Sequence, residues 1–77
     1  MKLKPDLAGI VLNRGIAYAR SGDYDRALPD LDQAVGTNPN NAFALFNRGM
    51  AKKALGDGPG ADADIAKARS IQPDIGQ

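Results

Sequence analysis

Asn13-Arg14-Gly15 returns as Asn47-Arg48-Gly49, 34 residues further along the chain. At that offset the chain matches itself at eleven positions: Ala8/Ala42, Asn13/Asn47, Arg14/Arg48, Gly15/Gly49, Ala17/Ala51, Gly22/Gly56, Asp23/Asp57, Ala27/Ala61, Asp30/Asp64, Ala34/Ala68 and Pro39/Pro73. Pro5 lies a further 34 residues before Pro39, so three prolines mark unit boundaries. Self-similarity at one fixed period of this length marks a repeat array, in which each unit buries its apolar face on its neighbour.

Each unit reads as two helices. From Leu7 to about Ser21, Leu7, Ile10, Val11, Ile16, Ala17 and Tyr18 recur at helical spacing. Asp6 is expected to cap this helix and Gly22 to end it in the left-handed conformation. Asp23 then caps a second helix, about Tyr24 to Val35, with Ala27, Leu28, Leu31, Ala34 and Val35 on one side. Pro29 inside it predicts a late start, a frayed first turn or a local kink. Gly36 to Asn40 is a turn, with Pro39 as breaker. Asn41 caps a third helix, about Ala42 to Leu55, closed by Gly56-Asp57-Gly58. Pro59 suits the first position of a fourth, ending near Ile71 and poor in large side chains. Short connections force neighbouring helices to lie antiparallel, and no segment alternates as a strand would. The expected organisation is a single all-α domain over residues 1–77, with repeats at 7–40 and 41–74. Leu3-Lys4-Pro5-Asp6 resembles Ile71-Gln72-Pro73-Asp74, which reads as the tail of a preceding unit in a longer array; a short protein with a degenerate leader is the alternative.

Composition narrows the chemistry. The 77 residues are 43% hydrophobic and 25% charged with a formal net charge of +1, which offers no electrostatic case for nucleic acid or an anionic membrane. No apolar run approaches the roughly 20 residues needed to span a bilayer, and Met1 to Pro5 has no secretory apolar core, so the expectation is a soluble, cytoplasmic chain. Neither cysteine nor histidine occurs, removing the usual metal ligands and the usual general base. No cofactor, metal or catalytic residue is expected. Asp23, Asp25, Asp30 and Asp32, echoed by Asp57, Asp62 and Asp64, read better as helix-start charges than as an acid/base pair. The chain has no glutamate to close a calcium loop, and no lysine-serine or lysine-threonine follows the Gly56, Gly58, Gly60 stretch to make a phosphate cradle.

A 34-residue unit of two helices resembles the tetratricopeptide repeat family. The residues that carry the likeness are Gly15, Tyr18, Ala27, Leu31, Ala34 and Pro39 in one unit and Gly49, Ala61, Ile65, Ala68 and Pro73 in the other. The resemblance implies an α-solenoid of four helices stacked with a right-handed superhelical sense. Gly15 with Ala27, and Gly49 with Ala61, would lie where the paired helices cross. The chain departs from the pattern at Val11 and Leu45, where a large aromatic is usual, and at Lys52, which stands where the other unit has Tyr18. Arg14 and Arg48 replace the family's leucine, and Asp30 and Asp64 follow each by 16 residues. We expect Arg14 to pair with Asp30 and Arg48 with Asp64; solvated surface charges are the alternative.

Such stacks hold a peptide or partner helix in a groove lined by the first helix of each unit. On the resemblance, that groove comprises Gly9, Leu12, Asn13, Ile16 and Arg20, then Phe43, Phe46, Asn47, Met50 and Lys53. Asn13 and Asn47 can each offer a donor and an acceptor to a peptide backbone, or instead bond within the fold. Leu12 and Ile16 stand where carboxylate-gripping members of the family carry polar residues, which argues for a hydrophobic ligand. The expectation is a non-catalytic protein-interaction scaffold. The alternative is self-association as a homodimer, through helix faces left bare at the two ends: Ile10, Val11 and Tyr18, and Ile65, Ala68 and Ile71.

Overall fold

A computed structural model describes residues 5–76, with side chains from Leu7 onward. Four helices follow one another: α1 (Pro5–Arg20), α2 (Tyr24–Thr37), α3 (Ala42–Ala54) and α4 (Gly58–Ile71). No strand occurs among the described residues. Leu3 and Lys4, with their likeness to a unit's tail, lie outside this range.

The two units close their first helices in the same way. Gly22 and Gly56 take φ of +84° and +94°, conformations that an L side chain resists. The reversal lets Asp23 N–H donate to the Tyr18 carbonyl at 2.9 Å and Asp57 N–H to the Lys52 carbonyl at 2.8 Å. Both aspartates then begin the next helix. The Asp23 carboxylate accepts from the Arg26 N–H at 3.3 Å and the Asp57 carboxylate from the Gly60 N–H at 2.9 Å. Asn41 caps α3 by accepting from the N–H groups of Phe43 and Ala44.

Three local expectations are corrected. α1 begins at Pro5, so Asp6 falls inside its first turn and not ahead of it; a proline there sacrifices no helical hydrogen bond. α2 starts at Tyr24 with Pro29 inside it, so the proline does not delay the start. Pro29 is exposed and costs only the bond that its amide would have made to the Asp25 carbonyl, on a solvated face. α4 begins one residue earlier than expected, at Gly58, placing Pro59 second.

α1 packs on α2, α3 on α4, and α2 on α3, while α1 also touches α3. α2 and α4 make no such contact among the described residues. The stack is therefore drawn together on the α1/α3 side and splayed on the other. Each helix pair crosses at a glycine. A Cβ on Gly15 would stand 3.0 Å from Leu31 and Asp30 side-chain atoms, and one on Gly49 would stand 2.7 Å from Ile65 Cγ1. Ala27 and Ala61 are fully buried. One core cluster joins Ala19, Ala27, Leu31 and Ala51, with Leu12, Ile16, Tyr18, Tyr24 and Leu28 around it. A second joins Ala42, Leu45, Ala68 and Ile75, flanked by Val35 and Phe46.

Candidate protein-interaction surface

Most of the acidic side chains serve the fold. Arg14 donates from Nε and Nη2 to the two carboxylate oxygens of Asp30 at 2.7 and 2.8 Å, and Arg48 does the same to Asp64 at 2.8 Å for both bonds. Both aspartates are buried. Hydrogen bonds from Arg14 hold the Asp30 carboxyl below the usual carboxylate range. Burial pushes Asp64 upward, but hydrogen bonds from Arg48 and Lys52 outweigh it and leave this carboxyl low as well. Lys52 Nζ lies 3.0 Å from Asp64, so the residue that departs from the tyrosine position joins the pair as a second cation. Arg48 Nη1 also reaches Asp32 of α2 at 3.3 Å, tying the two units together. These bidentate pairs set the angle of each helix hairpin and hold α1 and α3 in place.

The α1/α3 side presents the side chains expected of a groove, unevenly. Phe43 and Met50 are 54% and 40% exposed. Two turns apart, they share one face of α3. Lys53, Arg20 and Asn13 are exposed, while Leu12 and Ile16 are half-buried against the first core cluster. Phe46 is half-buried against the second cluster and contributes as much to the core as to a surface. Asn47 spends its amide on its own helix, donating to the Phe43 carbonyl at 2.8 Å. Asn13 makes no side-chain hydrogen bond among the described residues, so it keeps both donor and acceptor. A shallow depression of about 350 Å³ opens between α1 and the α2–α3 connection, lined by Ala8, Gly9, Leu12, Ala34, Thr37, Asn38 and Asn41. Residues 37, 38 and 41 escaped the sequence reading, which treated the connection as a mere turn. The period carried the signal, since the 34-residue equivalent of Asn41 is the buried Ile75.

The faces expected to be bare at the ends differ from expectation. Ala68 has no exposed surface, because Ala42, Leu45 and Ile75 close over it. It offers nothing to a second copy. Tyr18 packs on the first cluster and Ile65 lies half-buried beside Gly49, whereas Ile10 and Ile71 are exposed and Val11 is half-buried.

The sequence profile of the tetratricopeptide repeat matches residues 8–41, the first helix pair with its connection to α3. That match and the second, in-register helix pair decide the family. The chain belongs to the tetratricopeptide repeat family. Tetratricopeptide repeat protein 36 of Danio rerio is 40% identical over 58 residues, covering 75% of this chain and 31% of that protein. Photosystem I assembly protein Ycf3 of Acaryochloris marina is 32% identical over 63 residues, covering 82% of this chain and 38% of that protein. The STIP1 homolog of Dictyostelium discoideum is 36% identical over 62 residues, covering 80% of this chain and 11% of that protein. The chain thus spans about a third or less of these relatives. No solved structure matches it. Where the repeat family usually places leucine, Arg14 and Arg48 anchor its two hairpins by charge. No helix among the described residues is long and apolar enough to cross a membrane.

Proposed function

We propose that this chain is a non-catalytic protein-interaction module that takes a short apolar peptide or helix along its α1/α3 side. The observation that carries this reading is the exposed pair Phe43 and Met50, on the side where α1 and α3 meet. Large apolar groups set singly on a surface need no explanation, but a row on a concave side supplies the anchors that peptide recognition uses. Leu12 and Ile16 extend the apolar row onto α1, and Asn13 supplies a free amide for a ligand backbone. The printed name of the Acaryochloris marina relative calls it an assembly protein, which accords with work done by surface contact.

Selection of a random peptide library on the immobilised chain tests this. Recovered peptides should be rich in aliphatic or aromatic residues, and Phe43→Lys or Met50→Lys should abolish their binding without lowering the melting temperature, since both positions are exposed. Binders indifferent to both substitutions, or no binders at all, would remove the groove reading.

A further inference from the structure

α2 grips α3 through four residues spaced i, i+3, i+4 and i+7: Leu28, Leu31, Asp32 and Val35. Leu28 and Leu31 pack in the cluster that holds Ala51, Val35 packs against the cluster of Ala42 and Leu45, and Asp32 accepts from Arg48 Nη1. On α3, the positions that match across the repeat are Ala44, Leu45, Arg48 and Ala51; the three apolar ones are buried, and the Arg48 side chain is 20% exposed.

One period earlier, the same surface on α1 is Ile10, Val11, Arg14 and Ala17. Among the described residues nothing covers it. Ile10 is 60% exposed and the Arg14 side chain 58%; Ala17 and Leu7 are exposed, and Val11 is half-buried. Arg14 binds Asp30 through Nε and Nη2, as Arg48 binds Asp64. Its Nη1, the atom that on Arg48 takes Asp32, has no partner among the described residues.

We propose that this outer face of α1 is a docking site for an amphipathic helix of a partner protein, with apolar residues at i, i+3 and i+7 and a carboxylate at i+4. The α2–α3 contact within the chain supplies the template, and Arg14 Nη1 supplies the charge complement for the carboxylate. A second copy fits poorly. Its α2 already covers its own α3, and its α4 places Asp62, Ile65, Ala66 and Arg69 at the four positions, with charges where two apolar groups are wanted and no carboxylate at the third. The face shares no residue with the proposed groove.

A synthetic peptide of residues 23–38 of this chain is the probe, titrated against the full chain by fluorescence anisotropy. Saturable binding is expected, weakened about tenfold by Asp32→Asn in the peptide, as loss of a charge-assisted hydrogen bond predicts. Ile10→Lys in the chain should abolish binding at unchanged melting temperature, and Met50→Lys should leave it intact, which separates this face from the groove. Absence of saturable binding, or binding indifferent to Ile10→Lys, would overturn the proposal. So would a molar mass that doubles with concentration and reverts in Ile10→Lys, because a second copy would then own the face.

Discussion

Asp64 receives two bonds from Arg48 and lies within 3.0 Å of the Lys52 ammonium, in a position that excludes nearly all water. Asp30 has one partner, and that partner, Arg14, is largely solvated. The two pairs look alike in sequence but differ in consequence. Removing Asp64 strands two screened cations, so Asp64→Ala should cost about 3 kcal/mol in urea unfolding, as for other broken buried pairs. Asp30→Ala should cost markedly less, because water can take over Arg14. A double-mutant cycle should likewise return a larger coupling for Arg48 with Asp64 than for Arg14 with Asp30. Both carboxyls titrate below their ordinary 3.8 in the folded chain. A depressed folded pKa contributes stability that is fully present well above 3.8 and is lost as pH falls through the folded value. Unfolding free energy followed from pH 7 downward should therefore stay level to about pH 5 and then decline, with a shallower decline in Asp30→Asn/Asp64→Asn.

At the scale of the element, helices that carry prolines and glycines survive because each such residue is placed where its cost is small or its smallness is needed. Pro29 sits on the solvated face of α2, and its ring deprives only the Asp25 carbonyl. Pro29→Ala should restore that bond and raise stability by about 1–3 kcal/mol, measured by thermal unfolding. Gly36 in the same helix has open space where a Cβ would stand, so Gly36→Ala should stabilise by about 0.5–1 kcal/mol. Gly49 gives the opposite sign. Its Cβ would meet Ile65 at 2.7 Å and the Ala61 carbonyl oxygen at 3.0 Å, and backbone cannot move aside as a side-chain tip can. Gly49→Ala should destabilise by about 1–3 kcal/mol, as overpacking does. α4, whose apolar burial is confined to small and medium side chains, is held by this close crossing and by the Asp64 pairs.

For the whole molecule, the decisive contact is that of α2 with α3. It joins two hairpins that would each be too small to bury a core. Tyr18 and Tyr24 are the chain's only tyrosines, and both belong to the first hairpin. Their fluorescence should therefore follow the same unfolding transition as far-UV circular dichroism, which reads all four helices; a separation of the two curves would show that the hairpins melt independently. At the far end, Ile75 is buried against Ala42 and Ala68, in the place that stays open as a depression in the first unit. Ile75→Ala should lower the stability by about 3 kcal/mol, in the range for large-to-small core changes.

The amino-acid sequence alone determined the period, the four helices and their approximate ends, the glycine crossings and the partners of Arg14 and Arg48. All of these follow from local propensity or from two copies of one pattern, and both are written along the chain. Tertiary structure alone decided which apolar side chains remain at the surface. Phe43 and Phe46 are chemically identical and three residues apart, yet one is exposed and the other is braced by Ile75 and its neighbours. Asn13 and Asn47 occupy matched positions, yet only Asn47 bonds its own helix. Ile10 lies bare while its counterpart Ala44 is fully buried, because burial is set by what packs across from a residue, and a helix has no local record of its neighbour.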